Sequence, residues 1–376
     1  MRSLGSKGIE VHLGEEFNHS IASFSKHVET THVYPSPEEH PDEFVEWLAE
    51  IVEREAYDSL IPVRDAATLL VAKNKERFAQ KTGLCVADYE SVKRFMDKGE
   101  SMKLAAEHGV SVPRTYFPEE NGFEQIYDEA TLPLLIKPRD ESGARGIVRV
   151  ERYDELEPRY RAVDREYAAP IVQEYIDHAG GHYSIGTLFD HDSKPVAVHV
   201  YKETKQYPLS GGPAVNAVSV EKKPWVDDML QLLRAVGWEG PAHMDVLYDP
   251  AEETYKMLEI NPRFWMSLQA SICSGVDFPR LLYELAGGRE AEFQNELYKT
   301  GVTYRWVMPN ELLWLANTTE KMKGVQDLLR SRNGSTCYGV LSTKDPMPVF
   351  GVASQSLRFL TDPEKRKAIF DRGWEV

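Results

Sequence analysis

The stretch Met257-Leu258-Glu259-Ile260-Asn261-Pro262-Arg263 alternates apolar and polar side chains up to a proline. Successive side chains of a strand face opposite ways, so Glu259, Asn261 and Arg263 are expected on one face, with Leu258 and Ile260 in the core. Just upstream, His243-Met244-Asp245-Val246-Leu247 reads as a second strand, one short turn away. An antiparallel hairpin then sets Asp245 beside Glu259. Two carboxylates and an amide oxygen are hard donors, the set Mg²⁺ prefers when it also keeps phosphate oxygens and water. Arg263, one step beyond, suits a carboxylate or a transferring phosphoryl group. The spacing equally allows a solvated sheet face with a surface ion pair. Pro262 weighs against that, because it stops the ladder beside the polar cluster.

Working outward, Lys137 closes the apolar run Leu134-Leu135-Ile136 and opens a turn from Pro138 to Gly146 that includes Glu141, Ser142 and Gly143. A lysine at a strand end can meet a phosphate while the N–H groups of a glycine-containing turn close over it. The turn has neither the Walker A tail nor the dinucleotide glycine spacing, and a plain hairpin fits it as well. Lys98 follows Asp97 at the head of a helix, where a solvated lysine is the default. Glu174-Tyr175-Ile176 ends a buried strand before a polar bend; main-chain groups there could imitate a base pair with adenine, with Asp177 or His182 reaching toward ribose. Many strand ends look the same. The run 202–212, with Lys202, Lys205, Tyr207, Gly211 and Gly212, fits a mobile, positively charged lid or an ordinary surface loop.

At 376 residues, two or three packed units are expected. With 42% hydrophobic and 28% charged residues, the chain reads as soluble and globular, and no apolar run is long enough to cross a bilayer. A net charge of −16 argues against broad nucleic-acid binding and leaves room for a small anionic ligand in one focused cleft. Cys85, Cys273 and Cys337 show no metal-type spacing and read as free thiols in a reducing compartment. With no export signal at the first residues, the expected location is cytoplasmic.

The first ninety residues alternate short strands (9–13, 33–34, 60–63) with a helix over 42–54 and a long polar segment over 66–81, the pattern of an open parallel sheet. Residues 2–8 resemble the end of a first helix, so either an upstream start or a missing first strand is expected. A helix over 92–108 opens a second unit, followed by strands at 134–137, 147–150, 170–175, 183–189, 196–201, 242–248 and 255–260. The last ninety residues carry no interpretable motif.

In this order, these residues resemble the ATP-grasp superfamily from about Ile9 to Gly288. The resemblance implies a mixed α/β and α+β architecture: a small preliminary α/β domain over 1–90, apparently lacking its first strand, and two α+β lobes clasping ATP over 91–290. Lobe A is expected at about 91–175 and lobe B at about 182–290, with an extension of unknown role over 291–376. Lys98 and Lys137 resemble the ATP lysines, 141–146 the phosphate-covering loop, and Glu174 with Ile176 the adenine hinge. Asp245, Glu259 and Asn261 resemble the magnesium ligands, and Arg263 the residue that steadies an acyl phosphate. Asp245 stands where many relatives have Glu, one methylene longer.

Asn261-Pro262-Arg263-Phe264-Trp265 with Ser267, and Gly275-Val276-Asp277-Phe278-Pro279, are similar to uncharacterised microbial carboxylate-amine ligase-like proteins. The implied reaction is ADP-forming ligation of a small carboxylate and an amine through an acyl phosphate, with ATP and Mg²⁺, or Mn²⁺ in its place. A homodimer is open. The alternatives are a nucleotide-binding regulator or scaffold with little turnover, or a kinase or carboxylase of the same fold.

Overall fold

Helix Pro41–Glu55 buries Phe44, Val45, Leu48, Ile51 and Val52, a one-sided apolar stripe. Its Trp47 meets the His32 ring of a small parallel pair, β1 (His12–Glu15) and β2 (Thr30–Val33). This computed structural model describes residues 1–141, 143–209, 211–289, 298–329 and 335–361. The open parallel sheet expected in this unit is thus two strands wide among the described residues. Residues 60–63 form no strand; Ser59 makes only an isolated bridge to Gly83. The segment over 66–81 is two helices, Asp65–Lys73 and Lys75–Ala79, separated at Asn74, whose side chain donates to the Leu70 carbonyl at 2.9 Å.

The helix expected over 92–108 is likewise two, Tyr89–Met96 and Lys98–Glu107. Asp97 is extended (φ −85°, ψ 112°), and its carboxylate caps the second helix by accepting from Glu100 N at 3.0 Å. The cap makes Lys98 the first residue of a new helix rather than the middle of a long one.

Four strands, β3 (Thr115–Tyr116), β4 (Leu134–Lys137), β5 (Val148–Val150) and β6 (Ile171–Glu174), form an antiparallel sheet in the order β3-β6-β4-β5. Helix Tyr153–Glu166 seals it with Leu156, Tyr160 and Val163. The larger sheet takes β7 (His182–Phe189), β8 (Pro195–Gln206), β9 (Ala214–Ser219), β10 (Gly240–Asp249), β11 (Thr254–Asn261), β12 (Thr303–Arg305) and β13 (Thr336–Tyr338). Its order is β11-β10-β7-β8-β9-β12-β13. Ile185, Val200, Met244 and Met257 pack against Val92, Phe95, Met229 and Leu233, while Leu188, Ala197 and Tyr304 pack against Ala270, Phe278 and Leu281. With both faces buried, a one-residue slip would carry each side chain into the packing of the opposite face, which fixes the register.

The C-terminal region, unreadable as a motif, adds β12 and β13 to the sheet edge. It also brings Glu311 to Arg305 (2.7 Å), Asn216 (2.8 Å) and Lys205 (3.2 Å) in a buried charge cluster. The free-thiol expectation needs correction. Cys273, on helix Leu268–Ser274, is disulfide-bonded to Cys337 on β13 across 64 residues. Only the fold reveals that proximity. Cys85 is free and buried. Among the described residues no helix is long and apolar enough to cross a membrane.

Candidate nucleotide and metal site

A cavity of about 300 Å³ is lined by residues of both the four-stranded and the seven-stranded sheet. On the β10–β11 side, Asp245 stands directly opposite Glu259, the pairing expected from the sequence. The register then shifts between Asp245 and Val246, because Leu258 is an extra residue on β11. This bulge brings Leu258 into the cavity lining together with Glu259, whereas strict alternation had placed Leu258 in the core. Asn261 Nδ2 donates to Glu259 Oε1 at 3.1 Å, and Arg263 Nη2 donates to Asn261 Oδ1 at 3.2 Å. Arg263 also grips Asp65 of the N-terminal unit through two hydrogen bonds, at 2.7 and 3.0 Å.

Lys137 sits at the end of β4, nearly buried, and donates from Nζ to Gln173 Oε1 at 2.6 Å. Gln173 is itself held by Thr115 Oγ1 at 2.9 Å. Burial lowers the Lys137 pKa to about 8 against the opposing pull of Glu259. Lys98 Nζ donates to the Glu141 carbonyl and lies 3.5 Å from Glu259 Oε2, so it reaches the same carboxylate. The turn after β4 brings Glu141, Gly143, Ala144 and Arg145 to the cavity. Gly146 has φ +69°, and a Cβ there would come within 2.8 Å of Pro138 and of the Tyr167 ring, so the turn requires glycine. Ser142 lies outside the described residues.

At the hinge, Glu174 N donates to Arg114 O at 2.9 Å and Tyr175 N to Pro133 O at 3.3 Å. The Ile176 amide has no main-chain acceptor among the described residues. Glu174 and Ile176 line the cavity; Tyr175 and Asp177 do not. The Tyr175 ring lies beneath the Arg149 guanidinium at 4.4 Å, and the Asp177 carboxylate caps the following turn through Ala179 N at 2.9 Å. The Glu174 carboxylate is also engaged, with Lys256 Nζ at 2.7 Å. Lys202 is not among the lining residues either: alternation on β8 presents Tyr201 and Glu203 to the cavity, and Lys202 sits over the Tyr183 ring. Residues 202–206 of the expected lid belong to β8, and Lys205 is held by Glu311 and Asp327, so the lid's positive charge is not available to the cavity. Gly211 and Gly212 do line it.

His182 enters the cavity at the start of β7 rather than remaining a hinge side chain. Its pKa rises to about 9: burial alone would lower it, but Glu203 and Asp245 outweigh that. Burial raises the Glu203 pKa, while that of Asp245 is held down against burial by His243, His182 and Ser184. Beside this cluster, the buried Tyr201 hydroxyl joins Ser267 Oγ (2.6 Å) and His243 Nε2 (3.0 Å).

A protein-family model described as "ATP-grasp domain" matches residues 95–267, the span that carries the four-stranded sheet and β7 to β11 of the larger one. Residues 95–267 form an ATP-grasp domain. A D-alanine–D-alanine ligase of Chromohalobacter salexigens is 25% identical over 208 residues, 50% of this chain and 64% of that ligase. The chain therefore spans just under two thirds of that relative. Among solved structures, the biotin carboxylase domain of the 2-oxoglutarate carboxylase of Hydrogenobacter thermophilus superposes with TM-score 0.65 at 14% identity, over 80% of this chain and 69% of that one. An L-amino acid ligase from Bacillus licheniformis gives TM-score 0.57 at 18% identity, over 76% and 70%. At those identities the likeness is one of fold.

Within the ATP-grasp domain, the sequence reading missed Gln173, Tyr201, Glu203, His243, Leu258 and Ser267 as cavity residues. Glu203 was legible in principle, since it lies two residues after Tyr201 on the same strand face. Leu258 was not, because nothing in its neighbours announces a bulge.

Proposed function

We propose that this protein is an ADP-forming carboxylate–amine ligase. The observation that carries the reading is the convergence in one cavity of Asp245, Glu259 and Asn261 with Lys98, Lys137 and Arg145. The relatives named for joining amino acids support an amino-acid-like carboxylate and amine as the substrate class. We divide the chain into a preliminary unit over 1–90, the nucleotide-clasping lobes over 91–290 and an extension over 291–376.

Asp245, Glu259 and Asn261 are hard oxygen donors on adjacent strands and fit a magnesium ion, with manganese as a substitute. Such an ion supplies neutralisation of phosphate charge during transfer. In this reading the Ile176 amide donates to the adenine ring, with Leu258 as an apolar wall. Lys137 and Arg145 bind phosphate oxygens. A carboxylate oxygen of the substrate attacks the γ-phosphorus, the bond to the bridging oxygen breaks, and ADP leaves. Arg263, steadied by Asp65, holds the acyl phosphate. The neutral amine then attacks the acyl carbon, phosphate departs with the bonding pair, and the nitrogen loses its proton. Water must be kept out meanwhile, which requires the cavity lined by Tyr201, Trp265 and Gly211 to close over the acyl phosphate.

The test is a screen of amino acids and small dicarboxylates for ADP release in the presence of hydroxylamine. An acyl phosphate is captured as a hydroxamate in step with ADP formation. ADP release with a stable phosphoester and no hydroxamate would make the protein a kinase, and tight ATP binding without turnover would make it a regulator.

A further inference from the structure

Strands β10, β7 and β8 lie side by side. Their register puts His182 directly opposite Glu203 and puts Asp245 opposite Ser184, so the three side chains meet on one sheet face. One imidazole nitrogen and two carboxylate oxygens all lie within 4.8 Å of one another. These are not surface groups: the side chains of His182, Glu203 and Asp245 are 14%, 4% and 17% exposed.

Their hydrogen bonding is incomplete. Ser184 has a single hydroxyl proton, yet its oxygen is 2.8 Å from Glu203 Oε1 and 3.0 Å from Asp245 Oδ1, so one of these acceptors goes without. His182 Nε2 is buried, has no hydrogen-bond partner and stands 3.5 Å from Asp245 Oδ1, too far to donate. Two withdrawn carboxylates beside one imidazole call for a positive charge, which His182 carries when protonated and a divalent cation would carry in its place.

We propose that His182, Glu203 and Asp245 form a site for a transition divalent cation of the Mn²⁺ or Zn²⁺ class, sharing only Asp245 with the magnesium set. The imidazole separates the two sites chemically. Nitrogen-and-carboxylate sets suit transition ions, whereas Mg²⁺ favours oxygen and keeps its waters. Coordination through Nε2 places the ring proton on Nδ1. The Gln206 amide, which now contacts that nitrogen and donates to Glu203 Oε2 at 2.6 Å, then turns its oxygen toward the new N–H and releases Glu203 for the metal. The inference touches the ligase reading only through Asp245 and is tested without nucleotide.

The experiment titrates Mn²⁺ into the full nucleotide-free chain, reading loss of the aqueous ion's paramagnetic resonance signal, and measures Zn²⁺ competition against a chromophoric chelator. The wild type is expected to take up one ion that a large excess of Mg²⁺ does not displace. Affinity should fall about 10- to 100-fold in His182→Gln and in the isosteric Glu203→Gln. Glu259→Ala should retain this uptake while losing Mg-ATP turnover. No uptake by the wild type, full displacement by Mg²⁺, or wild-type affinity in both folded variants overturns the proposal. Wild-type displacement by Mg²⁺ decides the matter even if a variant misfolds. Loss of uptake in Glu259→Ala merges the site with the magnesium set and also overturns it; intact uptake with intact turnover in that variant leaves the cation site standing and removes the nucleotide-metal assignment.

Discussion

Glu259 faces Asp245 across the hairpin and lies 3.5 Å from Lys98, so its carboxylate is where the metal and phosphate assignments meet. A partner behind a metal ligand typically costs 10–100-fold when lost, so Glu259→Ala, which removes a ligand itself, should lower ATP turnover by at least about 100-fold. Its far-ultraviolet circular dichroism should stay that of the wild type. Turnover within a few-fold of wild type would remove Glu259 from the metal set. Lys137 gives a pH prediction. Its folded pKa, about 8, lies below the ordinary lysine value of 10.5 because the ammonium is buried. The unfolded chain therefore holds the extra proton between those values, and this group's contribution to stability improves as pH rises through that window. Nucleotide binding runs the opposite way, since the phosphate needs the ammonium. Calorimetry should show ATP affinity weakening as pH passes about 8 in the wild type, with this component missing in Lys137→Gln. An identical pH profile in the two proteins would take Lys137 away from the phosphates.

At the scale of elements, the period-two pattern made β10 and β11 legible with their pairing, because alternating apolar residues admit one register when a face is buried. The bulge at Leu258 was not legible, and neither were the helix breaks at Asn74 and Asp97, where a local cap outweighs a continuous helical pattern. The strand β7 carries a further feature: Gly186 lies beneath Trp265, and a Cβ there would come within 2.0 Å of the indole. Gly186→Ala should destabilise the fold by about 1–3 kcal/mol, the usual range for overpacking, in a denaturant titration followed by tryptophan fluorescence. An unchanged midpoint would mean that the indole is free to move. Behind the same sheet, His199 of β8 joins Ser271 of helix Leu268–Ser274 at 2.9 Å and is held neutral, its pKa lowered to about 3 by burial. The unfolded chain takes up that proton first, so stability should fall as pH drops below the ordinary histidine range. His199→Leu should show a shallower acid limb than the wild type in unfolding titrations, and an equal slope would place the acid sensitivity elsewhere.

For the whole molecule, the order of motifs gave the ATP-grasp architecture, and what stayed hidden were contacts between residues distant in sequence. Arg263 reaches Asp65 across 198 residues, and Cys273 reaches Cys337 across 64. Neither partner is marked by anything in its own neighbourhood. Cys85 is buried with its pKa pushed up to about 12, which keeps it in the unreactive thiol form. A thiol-reactive dye should therefore label the native protein negligibly, find one thiol on denaturation and find three only after reduction as well. Rapid labelling of native protein would contradict the bridge or the burial.

The central claim concerns where the phosphates lie, and a crystal structure with Mg²⁺ and a non-hydrolysable ATP analogue measures that directly. The account predicts metal density shared by Asp245 and Glu259, with the terminal phosphate within reach of Lys137 and the adenine ring at the Ile176 amide. A nucleotide bound elsewhere, or phosphates with no metal between them and these carboxylates, would contradict it.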